Sequence, residues 1–404
     1  MPGVNKIAAR LTAATGLPGV AILFLIAAWA VVTLPTVGPA NYAKDGAFYT
    51  HMTLTWLGTP TVEASHQVEA WYAAQGNPVA LGGDPADLPV WNLVAFRVFY
   101  SALSMPFVAA LGIPGMLVIP ALSILVMILM VASVAARRVG PAPAVGAALL
   151  ILVSSNVQAF GFQNVTDPVV MGLAAVLMAL MPWGQGRLSR GRVCWIAVAV
   201  LALCLTRQVG PVAAAVPVAG WAWSVGRSGW RNPWTVPAVV STVVAGFVTV
   251  ATLKLAPLTV ADGAIMGIGY PSLGEAVVHL PETMVRTVWT LARDVARYDG
   301  ALFVVAALAV VGMVRFWRSR ATAMTLAAGL SALMVFSMNG SPTFRYYLLV
   351  VPFVGVSAAV GLGWLTSRER QFRQPRRTQR SGTDRQTSSS TESLVPTGSL
   401  SHGR

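Results

Sequence analysis

Apolar residues in this chain gather into runs long enough to span a bilayer, and polar residues collect in the gaps between them. The first run, Leu17–Val37, follows Lys6 and Arg10. It exceeds the roughly 7–15-residue core of a signal peptide, so it reads as an uncleaved first helix. The polar segment Gly38–Asn92 comes next. It carries Trp56, Trp71, Tyr72 and Trp91, amphipathic aromatics that suit helices lying at a membrane interface. Residues Val98–Ala136 are long enough for two spans, but two would place Arg137 and Arg138 on the far side. The pattern therefore predicts a juxtamembrane or re-entrant helix over Trp91–Gly112, with the crossing of 98–113 left open, and a true span over Met116–Ala136. Further spans are expected over 143–161, 168–183, 193–207, 210–226, 235–256, 299–314, 321–338 and 346–366. The expected fold is an all-α polytopic membrane protein of about ten transmembrane helices. Interfacial helices would occupy the first outer loop, 38–97, and a second outer loop would cover 257–298. After Leu365 the composition turns to Arg, Ser, Thr and Gln, so 1–366 read as the membrane domain and 367–404 as a disordered cytoplasmic tail. No internal repeat is visible.

Charge then orients these spans. Ahead of the tail the acidic residues are Asp45, Glu63, Glu69, Asp84, Asp87, Asp167, Asp262, Glu275, Glu282, Asp294 and Asp299, and all fall in alternate gaps. The intervening gaps hold Arg137-Arg138, Arg187/Arg190/Arg192, Arg227/Arg231 and Arg315/Arg318/Arg320 with no carboxylate. Short cytoplasmic loops retain Lys and Arg, so both termini are expected inside and every candidate acid or base outside.

Composition agrees with a membrane protein. The chain of 404 residues is 55% hydrophobic and 10% charged, against about 25% charged in soluble domains, and its mean hydropathy is +0.66. The formal charge of +14 follows from arginines in short loops and the tail, a pattern of orientation and anionic-lipid attraction rather than of nucleic-acid binding. Cys194 and Cys204 share one apolar run and read as small hydrophobes. The bias to Arg, Ala, Val and Gly suggests a GC-rich genome, such as an actinobacterium's, and a bacterial plasma membrane. The histidines form no zinc-ligand spacing, so a metal site has no support in the sequence and no cofactor is expected, a divalent cation being equally unsupported.

Several short stretches carry chemistry. Asp45 and Tyr49 are four residues apart and share a helix face. A carboxylate beside apolar surface suits a general base, although Asp45 also reads as a helix cap. In Gln163–Pro168, Asp167 before Pro168 reads as a helix start, and Asn164-Val165-Thr166 matches an N-glycosylation acceptor. Arg207 interrupts an apolar stretch from Val193 to Trp223, which is costly unless it faces a cavity or a carboxylate partner. Arg345, with Tyr346 and Tyr347, is placed to hold a lipid phosphate bidentately or to anchor the interface. The mixed charges of Glu275–Asp299 suit a solvated or interfacial helix with ion pairs.

In this order the stretches resemble the GT-C superfamily of polytopic glycosyltransferases, which includes lipid-A aminoarabinose transferases, protein mannosyltransferases and PIG-V-like mannosyltransferases. The matching elements are Asp45 to Tyr49 after the first span, Pro89 to Pro106 with Arg97, and Asn164 to Pro168. Thr206-Arg207 with Gly210, and Arg345-Tyr346-Tyr347 with Pro352, complete the set. The chain departs from the pattern where a second carboxylate often stands, at Gly46, and it has no large soluble C-terminal domain. The resemblance implies inverting transfer of a sugar from a polyprenyl-phosphate carrier to a glycan, glycolipid or protein acceptor at the outer face. Asp45 would be the general base, Arg345, Arg207 and Arg97 would bind the donor phosphate, and Tyr49, Asp167 and Tyr346 would support them. A secondary transporter or a non-catalytic scaffold is the alternative. A transporter would place binding groups on interrupted helices at the midplane, whereas the polar residues here gather at one face.

Overall fold

The computed structural model describes residues 12, 15–33, 41–88, 91–184, 188–255, 272–337 and 344–373. Among them the chain is helical with no strand. Helix α1 covers Gly19–Thr33, α2 Lys44–Trp56, α3 Thr61–Ala74, α4 Trp91–Val94, α5 Val98–Leu111 and α6 Val118–Val139. They are followed by α7 (Pro141–Leu152), α8 (Ser155–Gly161), α9 (Thr166–Leu180), α10 (Arg190–Thr206), α11 (Gly210–Ser228) and α12 (Thr235–Leu255). The rest are α13 (Leu273–Val278), α14 (Leu280–Tyr298), α15 (Gly300–Arg315), α16 (Arg320–Ser337) and α17 (Val351–Arg373). Met1–Trp364 form one compact unit. The second unit, Leu365–Arg404, is described through Arg373, where helix continues. The remainder of the expected tail lies outside the described residues, as do Asp262 and the stretch 257–271 of the second outer loop.

Among the described residues, four helical segments are long and apolar enough to cross a membrane: Ile113–Val139, Thr235–Thr252, Arg320–Ser337 and Phe344–Ser367. A fifth is added if the bent pair α7 and α8 counts as one. Apolar helices α1, α5, α9 and α15 are shorter. The protein is thus a helical membrane protein by the length and composition of these segments.

Local sequence explains the helix ends. Gly112 and Gly140 close α5 and α6 at φ of 68° and 85°, a conformation glycine adopts without a Cβ penalty. The run expected as one span over 143–161 is instead bent by 63°. Ser154 accepts from the Val157 N–H as the N-cap of α8 and donates to the Asp299 carboxylate at 2.6 Å. A side chain that satisfies a fresh helix start makes a break stable inside an apolar run.

The buried side chains form two clusters. A large aliphatic one draws on α6, α7, α9, α10, α11, α16 and α17. A smaller one, between α2, α3 and α5, is rich in tyrosine: Tyr42, Tyr49, Tyr72 and Tyr100 pack with Ala47, Val68, Val108 and Met116. Tyrosine suits a core that must also satisfy polar groups. Tyr100 donates to the Met116 carbonyl at 2.7 Å, and Ser101 donates to the Tyr49 carbonyl at 3.2 Å. Val169, near the start of α9, belongs to the smaller cluster, while Val170 and Met171 belong to the larger. The first turn of α9 is therefore the seam between the two cores.

Helix α14 is amphipathic in an unusual sense. Leu291 and Val295 pack inward, while Val285, Val288 and Trp289 stay exposed on one face. The stretch expected as a solvated or interfacial helix is thus helical over Leu280–Tyr298, with an apolar side left open.

Candidate functional site

At the seam the chain brings together groups far apart in sequence. The Arg345 guanidinium lies in the short helical turn Phe344–Val350. Its Nη2 is 2.8 Å from Asp45 Oδ2, and its Nε donates to Asp167 Oδ2 at 2.7 Å. Asp167 uses its other oxygen to accept from Arg207 Nη1. One guanidinium thus bridges two carboxylates, and one of those carboxylates bridges two guanidiniums. Arg97 Nη1 donates to the Tyr49 hydroxyl at 3.1 Å and lies near enough to feel the charge of Asp45 and Asp167. Of the residues named from sequence, Asp45, Arg345, Asp167 and Arg207 form one connected network. Arg97 and Tyr49 sit beside it.

Each residue has a positioning element. Asp45 is in the first turn of α2 but is no cap. Ala43 is the N-cap, and the Ala43 N–H donates to Asn164 Oδ1 at 3.0 Å. Asp167 does not cap α9 either, because Val165 is the N-cap and no side chain fills that role. It is instead a buried counter-ion with a side chain only 3% exposed. Arg207 follows the last turn of α10 in extended backbone, so its side chain leaves the helix axis towards Asp167. Its guanidinium carbon sits 4.6 Å from the centre of the Tyr346 ring, which stacks on Phe336 at 5.5 Å. Tyr346 therefore supports the site by holding Arg207 from behind.

Exposure separates the roles. The Arg207 and Asp167 side chains are 7% and 3% exposed, that of Arg345 15% and that of Asp45 48%. Buried charges persist only when paired and hydrogen-bonded, which describes the inner members. Asp45 is the member open to an incoming molecule. Counted with Arg97 beside it, the cluster has three guanidiniums and two carboxylates, one formal positive charge in excess. Arg97 Nε and Thr166 Oγ1 are buried donors with no hydrogen bond among the described residues.

Asn164 has a larger part than its motif suggested. It is fully buried, which rules it out as a glycosylation acceptor in this fold. Its backbone N–H donates to the Asn41 carbonyl, its Oδ1 accepts from Ala43, and its Nδ2 donates to the Tyr72 hydroxyl. Burial raises the pKa of Tyr72, so that group stays a neutral hydroxyl. A Cβ at Gly46 would overlap the Asn164 carboxamide. Position 46, directly after Asp45, therefore has no room for any side chain. Asn164 locks the start of α2, and so Asp45, to the loop that delivers Asp167. The signal available in sequence was the glycine itself, directly after Asp45.

No group of three or more His, Cys, Asp or Glu able to hold a metal occurs among the described residues. Residues 338–343, which precede the turn that carries Arg345, lie outside the described residues, as does Pro89. Compared with protein-family models, curated proteins and solved structures, the chain finds no match.

Proposed function

We propose that the chain is a membrane glycosyltransferase of GT-C type, with about ten spans and both termini in the cytoplasm. It would move a sugar from a polyprenyl-phosphate-linked donor to a glycan, glycolipid or protein acceptor at the outer face of a bacterial plasma membrane. The observation that carries this reading is the pairing of a half-exposed carboxylate, Asp45, with Arg345 in a cluster that has an excess positive charge. A phosphodiester-linked donor brings one negative charge, which that excess balances. As the anomeric C–O bond breaks, the electron pair goes to the phosphate, and guanidiniums held in place by Asp167 and Tyr346 meet the growing charge. The acceptor oxygen attacks from the opposite side, inverting the centre, and its proton passes to Asp45.

The resting contact between Asp45 and Arg345 has a consequence. A donor phosphate competes with Asp45 for Arg345, so donor binding releases the carboxylate to act as a base. Asp45→Asn should therefore abolish transfer and yet bind a polyprenyl monophosphate at least as tightly as the native chain. Arg345→Gln should weaken that binding by at least about tenfold, the loss of one charge-assisted hydrogen-bond pair. Titration of nanodisc-held protein with a polyprenyl monophosphate tests both. Equal weakening by the two substitutions would contradict the competition and the base role together.

A further inference from the structure

A cavity of about 250 Å³ opens beside α2 and is lined by His51, Thr55, Trp56, Thr61, Asp84 and Trp91, among others. His51 follows Asp45 by six residues on that helix, about 9 Å along its axis and on a different face. The cavity is therefore separate from the arginine cluster. His51 is 3% exposed. Its Nε2 lies 3.1 Å from the Thr61 carbonyl, which can only accept, so Nε2 carries the proton and Nδ1 is left as an acceptor. That Nδ1 is buried and has no partner among the described residues, an arrangement that costs stability unless something donates to it.

The rest of the lining is equally one-sided. The Asp84 carboxylate accepts from the Ala86 N–H through Oδ1 at 2.9 Å, leaving Oδ2 for other donors. Thr55 spends its hydroxyl proton on the Met52 carbonyl at 2.9 Å, so its oxygen too faces the cavity only as an acceptor. No lysine or arginine lines it, and with Asp84 present an anionic ligand is disfavoured. Two indoles complete the walls. Trp91 meets the His51 ring edge-on at 5.9 Å, and Trp56 is 43% exposed. Acceptors around the rim and flat apolar faces call for a small neutral ligand with hydroxyl donors at its edge and C–H bonds on its faces. The volume lies below the range of about 300–1,000 Å³ for larger ligands.

We propose that this cavity binds one sugar ring of the acceptor glycan, remote from the bond being made. That the ring belongs to an acceptor rests on the transfer reading above; that the cavity takes a sugar does not. Occupied, it would hold a glycan against α2, the helix that carries Asp45.

The test uses the full chain in nanodiscs and follows tryptophan fluorescence during titration with methyl glycosides of glucose, mannose, galactose and arabinose, and separately with Zn²⁺. At least one glycoside should give a saturable change. Both His51→Ala and Ala95→Phe, the latter filling the cavity from its wall, should weaken it by at least about tenfold. Asp45→Asn should leave it unaltered. Ala95→Phe keeps every polar partner, so it serves where His51→Ala fails to fold. The proposal is overturned if no glycoside saturates, if Ala95→Phe binds as the native chain does, or if Zn²⁺ alone produces the change. Failure here with transfer still lost in Asp45→Asn would remove the subsite and leave the transfer reading standing. Sugar binding with transfer unaffected by Asp45→Asn would do the reverse.

Discussion

Helices α9 and α10 collect arginine at both ends and hold it in two different ways. At the end where α9 begins, Arg207 and Arg345 share the carboxylate of Asp167, and Arg345 also takes Asp45. At the other end, about 22 Å away for a helix of this length, Arg192 donates to the Ala179, Leu180 and Met181 carbonyls and the other arginines meet indoles. Arg138 lies over Trp183 at 4.1 Å, Trp183 meets Trp234 edge-on at 5.9 Å, and Arg320 lies between Trp234 and Trp223 at 5.8 and 5.0 Å. Arg227 covers Trp223 at 3.8 Å. An aromatic face attracts a cation without neutralising it, so the guanidiniums at that end stay uncompensated by carboxylates. A carboxylate neutralises and fixes direction. The indole arrangement leaves positive charge at the surface, whereas the carboxylate arrangement holds guanidiniums in fixed directions.

The comparison predicts unequal responses to substitution. The largest should come from Arg207→Met, which leaves the buried Asp167 short of a partner and should cost about 3–5 kcal/mol, read as a lowered melting temperature in detergent. Restoring balance with Asp167→Asn in the same chain should recover part of it. An additive loss in the double variant would mean the two charges do not depend on each other. Gly46→Ala should cost about 1–3 kcal/mol by overpacking against Asn164, and it should impair transfer more than its stability loss explains, because it displaces Asp45. At the indole end, Arg138→Gln should lose only about 0.5–2 kcal/mol and leave transfer unaffected. A transfer defect there would erase the distinction between the two ends.

The smallest effect concerns pH. Burial lowers the pKa of His51, outweighing the Thr61 carbonyl and the Asp84 charge, both of which raise it. The unfolded chain, with an ordinary value of about 6.5, then binds the proton first as pH falls. Stability is fully present above about 6.5 and declines as pH drops from there through the lower folded value. His51→Gln should flatten that decline in melting temperature, and an unchanged slope would show that the titration lies elsewhere.

Much of this layout was legible in the sequence, for identifiable reasons. Helices run where apolar residues run, and their ends fall near Gly112, Gly140 and Thr206 because glycine and polar interruptions have local effects. Arg207 stands out as a charge interrupting an apolar stretch, where a charge is costly, and Asp45 as a carboxylate beside apolar surface. Arg345 stands out as a guanidinium next to two tyrosines, and Arg97 through the Pro89–Pro106 stretch of the resemblance. What spacing could not give was pairing. Arg345 and Asp45 are three hundred residues apart, and only the fold decides that Arg345 also reaches Asp167. Asp167 itself looked like a cap because the Asp-Pro dipeptide is a local signal, whereas its two guanidinium partners are not. The bend at Ser154 depended in the same way on Asp299, a remote carboxylate.

The central claim is that Asp45 receives the acceptor's proton in a sugar transfer powered by a lipid-linked donor. Mass spectrometry of envelope glycolipids and glycans from cells whose only copy of the chain carries Asp45→Asn addresses it most directly. The expected result is loss of one glycosylated product, with accumulation of its lipid-phosphate donor and its unmodified acceptor, while the protein remains at native level in the membrane. An unchanged profile at that level would contradict it.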